Sequence, residues 1–406
     1  MSNTVPNFSA IRLLGAGTAA LLLASTAANA QNWDLVPRLA VGGEVDDNAQ
    51  LTVRTDDVVK LEGYLLEAAA AISYDSATTD FVITPLILDR SYPDEEVFNS
   101  TMYDVQMRYT YRGQRNRFRF DAWFNEDDIR NAERADVDLD QQDPDDIPDD
   151  DTGLVQIAGD RTRIQARPSW TYSWSRASAS TLWIDYRDVT YDAELGFTDY
   201  TDARFTLDYS NNFSTRSAWF VSGALRNYDL EQDLGEFDSI AFNVGLDTRL
   251  SETLRLRARI GVEDVESSTS GLNETKPIGE LTFIRQLETI RLLAQYRRSV
   301  TTSGRGRMSE RDAVNVRMTR VLNERFEAGL GLKAYRSRPI QLEPDQPLFD
   351  RNYAQLTARL TWNITRSFSM ETMYLYTFVD REVQGESANS NQFILWFAYQ
   401  PGGADQ

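Results

Sequence analysis

Residues 117–124 read RFRFDAWF, in which arginine, aspartate and tryptophan occupy one parity and mainly phenylalanine occupies the other. Successive side chains of a β-strand point to opposite faces, so this stretch is predicted to be a strand with one polar and one apolar face. Residues 254–260, LRLRARI, and 354–362, AQLTARLTW, repeat the pattern. A period of two is therefore the dominant structural signal in the chain.

Eighteen segments of this kind, about 10 to 14 residues long, follow one another along the chain. The connections alternate in length: 113–114 and 251–252 are short, whereas 46–63 and 128–160 are long. Further long connections are predicted at 265–277, 301–310, 338–351 and 380–390. The predicted strands cover residues 33–45, 64–74, 79–89, 100–112, 115–127, 161–175, 179–190, 200–211, 216–229, 238–250, 253–264, 278–287, 289–300, 311–323, 325–337, 352–364, 367–379 and 391–399.

This arrangement predicts an all-β fold, a transmembrane antiparallel up-and-down β-barrel of about 18 strands, with 16 as the alternative. Short turns at one end, long loops at the other and both termini at the short-turn end require an even strand number. Hydrocarbon offers no hydrogen-bond partner to the edge of a sheet, so a spanning sheet must close on itself. A soluble β-sandwich is less consistent with the pattern because its strands usually have only about 5 to 6 residues.

The first 30 residues are predicted to be a cleaved signal peptide. Arg12 precedes an apolar run over residues 13–24, and residues 28–30 form the small-residue motif Ala-Asn-Ala that signal peptidase favours. The run is too short to span a bilayer as a helix. Residues 31–406 are then expected to form one outer-membrane barrel domain, reached by export through the periplasm.

Composition excludes several classes of function. The chain has 62 acidic and 42 basic residues and a net charge of −20, which argues against nucleic-acid binding. Histidine and cysteine are both absent, so serine–histidine hydrolysis, thiol chemistry and imidazole or thiolate metal sites are excluded. Paired carboxylates such as Glu95 and Glu96 could hydrolyse glycosides, but acidic loops offer such pairs by chance. We therefore expect a protein that is not an enzyme and has no cofactor.

The polar parity of the strands carries many arginines that are expected to face the lumen. One interpretation is a cationic track for anionic solutes or a negatively charged glycan, because a guanidinium binds carboxylates and sulfates through two hydrogen bonds. The other is a set of cross-strand salt bridges that stiffen the wall. Both stay open for the run Arg255, Arg257 and Arg259, within which no acid alternates. The predicted pore-lining residues are Arg117, Arg119, Arg163, Arg167, Arg187, Arg204, Arg249, Arg255, Arg257, Arg259, Arg291, Arg297, Arg317 and Arg359.

Two other features allow a functional and a structural interpretation. The acidic stretch 126–160 could bind divalent cations, or it could be a solvated external loop that contacts lipopolysaccharide. Trp123 and Trp183, on the polar parity, could stack on sugar rings or pack within the wall. For both features the structural interpretation is preferred.

The last predicted strand places Phe393, Leu395, Phe397 and Tyr399 on one parity. This pattern resembles the terminal signal that the barrel-assembly machinery reads. The expected partners are therefore that machinery during biogenesis, outer-membrane lipid and lipopolysaccharide, and a polysaccharide or polar solute, but no nucleic acid.

Residues 37–48, PRLAVGGEVDDN, and the end of the chain over 390–401, SNQFILWFAYQP, resemble the opening and closing segments of the β-barrel porin 2 family. The resemblance covers the barrel in length and rhythm, and it implies an outer-membrane conduit for an acidic or neutral glycan. It carries no catalytic residues. Together with the lumen arginines it leads us to expect a porin-like channel for an exported polysaccharide or for small polar or anionic solutes. The alternative is a non-conducting barrel that acts through its acidic external loops.

Overall fold

The computed structural model describes residues 32–53, 58–132, 134, 139, 159–192, 197–231, 235–267, 271, 273–303, 307–340, 351–381 and 386–401. The predicted signal peptide, residues 1–30, and most of the acidic stretch 126–160 lie outside these residues. Within them, no helix is both long and apolar enough to cross a membrane.

The prediction of an 18-stranded antiparallel barrel is confirmed. Helical structure in the described residues amounts to a 3-10 turn at Glu96–Phe98 and one helical turn at Ile129–Ala132. The strands are β1 (Trp33–Asp46), β2 (Leu61–Asp75), β3 (Thr79–Ser91), β4 (Ser100–Arg112), β5 (Asn116–Asp128), β6 (Asp160–Ser173), β7 (Ser178–Asp192), β8 (Tyr200–Asn212), β9 (Ser217–Leu230), β10 (Gly235–Arg249), β11 (Leu254–Ser267), β12 (Asn273–Gln286), β13 (Ile290–Ser303), β14 (Arg307–Asn323), β15 (Phe326–Pro339), β16 (Arg351–Asn363), β17 (Phe368–Arg381) and β18 (Glu386–Tyr399).

The sheet closes between its first and last strands. Each strand pairs antiparallel with its neighbours in sequence, and β1 also pairs with β18, from Leu39 opposite Tyr399 to Asp46 opposite Gln392. Closure gives the first and last strands the backbone hydrogen-bond partners that lipid cannot supply. The short connections, such as 76–78 and 113–115, lie at the end of the barrel that also holds the start of β1 and the end of β18. We call this the short-turn end, and the opposite end the loop end.

The two faces of the wall follow the predicted alternation. Contacts between strands that are not neighbours can form only across the concave side of the sheet, and such contacts identify the inner face. Arg90 on β3 pairs with Asp127 on β5 at 2.8 Å, for example. The opposite parity carries exposed apolar side chains such as Ile240 and Phe242. The outer face is therefore compatible with lipid, and the inner face is rich in buried polar and charged groups.

The strands continue further into the loop end than the sequence predicted. Three connections expected at 265–277, 301–310 and 380–390 shorten to 268–272, 304–306 and 382–385 because the flanking strands extend. These extensions, such as 273–276 with the sequence NETK, contain few apolar residues. In these extensions both faces are mostly polar, so the alternation that reveals a strand in lipid is absent there.

We predict that the charge tolerance of the outer face depends on height along the barrel. Phe242 faces outward at the middle of β10. Replacing it with arginine is expected to lower the free energy of unfolding by about 2–4 kcal/mol, because the charge would lie at the bilayer midplane. Thr190 faces outward near the loop end of β7, and Thr190→Arg is expected to cost about 0–1 kcal/mol. Urea unfolding of the barrel in lipid vesicles measures both, and equal effects would contradict the assigned membrane face.

Candidate functional site: the charged lumen

All fourteen predicted pore-lining arginines occupy inward-facing register positions. The pairings carry the inner parity around the barrel from β5, where Arg117 and Arg119 lie, to β16, where Arg359 lies. Four are at the short-turn end: Arg117, Arg249, Arg255 and Arg291. The others are distributed along the inner wall toward the loop end.

The run Arg255, Arg257 and Arg259 obtains its partners from neighbouring strands. Arg255 donates through Nε to Asp247 of β10 at 2.8 Å, and Arg259 Nη2 lies 2.7 Å from Glu280 of β12. The guanidinium of Arg257 lies 5.3 Å from the ring centroid of Phe220. The acids that the run itself lacks are thus supplied across the ladder, which favours the salt-bridge interpretation for two of the three residues.

In two places on the inner wall, one acid lies between two arginines. Asp121 accepts from Arg108 Nε at 2.8 Å and from Arg119 Nε at 2.5 Å. Glu280 lies 3.3 Å from Arg297 as well as 2.7 Å from Arg259. Each of these acids is almost completely buried. The arginines therefore form a charged lining in which inward-facing cations are partly neutralised by shared carboxylates.

Further ion pairs continue this lining. Arg167 lies 3.1 Å from Asp185, Arg187 lies 4.0 Å from Asp202, and Arg359 lies 3.4 Å from Glu327. Arg204 differs from these because its side chain is 42% exposed and its acid, Glu263, is 3.9 Å away. Arg204 is thus a partly neutralised cation that faces the lumen. The remaining two predicted residues, Arg163 and Arg317, also lie on the inner face, and Arg317 is buried.

One buried ion pair of the lumen involves an arginine that was not predicted to line it. Arg226 donates to both carboxylate oxygens of Asp202, through Nε at 2.8 Å and Nη2 at 2.6 Å, and both side chains are buried. The inner parity of β9 otherwise holds mainly small or apolar residues, including Ala218, Phe220 and Ala224. Its alternation therefore gives no clear polar face. Other inward-facing arginines that were missed include Arg38, Arg90, Arg108, Arg112, Arg161, Arg311 and Arg351.

The two tryptophans predicted to face inward do so, and both are held by the wall. Trp183 donates through its indole N–H to Asp208 at 2.9 Å. The guanidinium of Arg167 lies 5.3 Å from the ring centroid of Trp123. These contacts agree with the interpretation that they pack within the wall.

Part of the acidic stretch enters the lumen. Arg134 donates to Gln392 Oε1 at 2.8 Å and to Asp46 Oδ2 at 3.2 Å, which places it against β18 and β1, five and four strands from β5. Leu139 is buried beside Gly329 of β15, where a Cβ atom would lie only 2.8 Å from Leu139 Cδ1. Gly329 is inward-facing and near the short-turn end, so Leu139 lies deeper in the lumen than Arg134. Among the described residues, no group of three or more acids is placed to hold a metal ion.

The loop end is narrowed by the hairpin of β13 and β14. The pairing of β12 with β13 is described only up to Gly279 opposite Arg298, whereas β13 and β14 remain paired to Ser303 opposite Arg307. Val300 and Met308 have outward parity yet are 3% and 1% exposed. They belong to an apolar cluster, which we call the mouth cluster, formed with Val189, Tyr200, Tyr228, Leu230, Phe237, Val265 and Ile340.

A hydrogen bond ties this hairpin to β9, four strands away around the barrel. Arg226 Nη1 of β9 donates to the carbonyl oxygen of Val300 at 3.2 Å. Because β9 and β13 are separated by three strands, the hairpin must bend inward across the lumen to make this contact. The lumen therefore has a charged wall toward the short-turn end and an apolar constriction near the loop end.

No family profile matches the chain, and no curated protein matches it. The resemblance to the β-barrel porin 2 family therefore stays a prediction. Among solved structures, the outer membrane protein opdK from Pseudomonas aeruginosa is 9% identical, with a TM-score of 0.46 over 90% of this chain and 99% of that one. Acinetobacter baumannii OccAB4 is 8% identical, with a TM-score of 0.45 over 91% and 98%. The outer membrane channel DcaP of Acinetobacter baumannii is 12% identical, with a TM-score of 0.42 over 91% and 97%.

We predict that burial decides the contribution of the lumen ion pairs to stability. Asp202→Asn would leave the buried guanidinium of Arg226 without its carboxylate and is expected to cost about 3–5 kcal/mol. Asp247→Asn removes the same kind of pair from Arg255, whose side chain is 51% exposed, and is expected to cost about 1 kcal/mol or less. Urea unfolding followed by tryptophan fluorescence compares the two. A larger loss for Asp247→Asn would contradict the prediction.

Proposed function

We propose that this protein is a porin-like channel of the outer membrane that passes small polar or anionic solutes through a narrow lumen. A barrel of 16 to 18 strands is wide enough to enclose an aqueous channel. The size of the pore is therefore set by the segments that enter the lumen. The observation that carries the proposal is the charged inner wall, on which arginines and shared carboxylates extend from the short-turn end toward the mouth cluster. Such a wall is wetted by water and attracts ions.

The orientation follows from the connections. Outer-membrane barrels have short periplasmic turns and longer external loops, which assigns the short-turn end to the periplasm. The exposed apolar outer face would contact lipid, and the acidic loop end would face lipopolysaccharide. The barrel-assembly machinery would insert the protein after export. No histidine or cysteine is present to support acid–base or thiol catalysis, and we propose no enzymatic activity.

Conduction of an exported polysaccharide, implied by the resemblance to the β-barrel porin 2 family, would use the same inner wall. A glycan chain is wider than a hydrated ion, so this activity would require the β13–β14 hairpin to leave the mouth cluster. Small solutes are therefore the primary proposal, and glycan passage is its extension.

A second candidate function is supported by the mouth cluster itself. Tyr228 and Val265 in this cluster are completely buried, which is the packing of a closed element. A barrel that remained closed there would not conduct and would act through its external surface. The two candidates differ in one measurable property, the passage of ions.

We predict discrete single-channel conductance when the purified barrel is inserted in planar bilayers. Reversal potentials in a salt gradient are expected to show a preference for anions. Arg204→Gln should lower the anion-to-cation permeability ratio, because it removes an exposed cation from the lumen. Arg320→Gln is the matched control, since Arg320 is exposed on the outer face. A barrel that inserts fully but never conducts would support the second candidate.

A separate prediction concerns the constriction. Val300→Asp would place a charge in the mouth cluster, where desolvation is unfavourable, and should therefore release the hairpin. We expect higher conductance and entry of larger neutral polyethylene glycols than in the wild type. Ser299→Asp, on the adjacent position of the same strand, serves as the control. An unchanged polymer size limit in Val300→Asp would show that the hairpin does not set the width of the pore.

A further inference from the structure

The short-turn end is basic although the chain as a whole carries a net charge of −20. Five of its eight turns contain an exposed arginine: Arg115, Arg176, Arg216, Arg325 and Arg366. All eight turns together contain only three acids, Glu252, Glu288 and Glu324. Positive charge therefore accumulates at one end of an acidic molecule.

The inner rim of this end is also basic. Arg112, Arg117, Arg249, Arg255 and Arg291 are inward-facing and exposed at the level where the strands meet the turns. The inward-facing acids at this level include Asp34, Asp75 and Asp80 on β1–β3 and Glu327 on β15, strands that carry none of these five arginines. We refer to the five inward-facing arginines as the arginine rim.

Two pairs within the arginine rim place like charges directly across a ladder. Arg112 on β4 lies opposite Arg117 on β5, and Arg249 on β10 lies opposite Arg255 on β11. Like charges at directly opposite positions destabilise a sheet. Arg255 is partly compensated by Asp247. In the part of the chain that the structure describes, Arg112 and Arg117 form no ion pair.

An unneutralised pair of guanidiniums on a lumen rim is a site for an anionic group. Each guanidinium presents a fork of donors that fits a carboxylate or a sulfate through two hydrogen bonds. An anion bound between Arg112 and Arg117 would remove the repulsion that the empty arrangement carries. Repetition around the rim favours a ligand with several anionic groups, because linked contacts bind far more tightly than single ones.

We propose that the arginine rim captures a linear polyanion bearing carboxylate or sulfate groups, such as an acidic glycan, at the periplasmic mouth of the channel. The inference rests on the proposed function, since it requires this end to be the periplasmic mouth. Anionic lipid headgroups are less suitable occupants because the five arginines face the lumen and not the bilayer. The loop end carries outward acids such as Asp188, Asp229 and Asp238, which repel the same polymer. Capture is therefore directional, and the polymer enters preferentially from the periplasmic side.

The test measures polymer binding to the purified full-length barrel in detergent, with fluorescently labelled dextran sulfate as the probe and neutral dextran as the control ligand. The double variant R112Q/R117Q is expected to weaken dextran sulfate binding by about tenfold or more, because it removes two charge-assisted contacts. The matched variant R285Q/R320Q removes two exposed arginines from the outer face at the same height and should leave binding unchanged. Increasing salt should weaken wild-type binding. Equal binding by all three proteins overturns the proposal.

A bilayer experiment adds the direction. In an oriented bilayer, dextran sulfate added at the short-turn side is expected to block the current at lower concentration than the same polymer added at the loop side. Equal block of the current from both sides contradicts directional capture. A barrel that does not conduct but still binds dextran sulfate through Arg112 and Arg117 would refute the channel and leave the rim site standing.

The lipid alternative has its own outcome. If R112Q/R117Q instead weakens association with phosphatidylglycerol vesicles while dextran sulfate binding is unchanged, the rim is a headgroup contact and the proposal is wrong. Both variants should retain the folded band on unheated gels, which separates loss of binding from loss of the barrel.

Discussion

The requirement that every backbone N–H and C=O group find a partner in a medium without water governs this protein. An open sheet with an apolar outer face would leave two rows of unpaired groups in lipid, so β1 must meet β18. Closure in turn creates an interior that is shielded from lipid. Charges that could not face hydrocarbon, such as Arg226 and Asp202, are stabilised there by pairing with one another. The polar lumen is thus a consequence of satisfying the backbone.

The fold could be predicted from sequence because the bilayer imposes a period of two on every spanning segment. Residues 117–124 show that period clearly, and all 18 strands were found near their predicted positions. The prediction weakened where the membrane constraint ends. The first residues of β12 and β18 are mostly polar on both faces, so the starts of these strands were placed several residues too late. On β9, small and apolar residues on the inner face hid Arg226.

The partners of the lumen arginines could not be predicted in the same way. Parity indicates which face a side chain occupies, but the register between strands decides what lies beside it. Arg259 contacts Glu280 only because β11 and β12 pair with those two residues opposite each other. The burial of Val300 could not be predicted from the alternation either, because its position in the alternation indicates the outer face. A bend of the β13–β14 hairpin turns Val300 into the lumen instead. The local sequence does not encode this bend or the contact with β9.

The parting of β12 and β13 near the loop end also bears on the mechanics of the barrel. In the described part of these strands the shared ladder ends at Gly279 and Arg298, while each strand stays bonded to its other neighbour. Pro277, two residues beyond this point, has no N–H to offer to a ladder. At the loop end the wall is therefore held by fewer backbone bonds between these two strands than at the β1–β18 seam, which stays paired to Asp46 opposite Gln392. A force applied at the loop end would begin to separate the strands of the barrel between β12 and β13, while the short-turn end stayed intact.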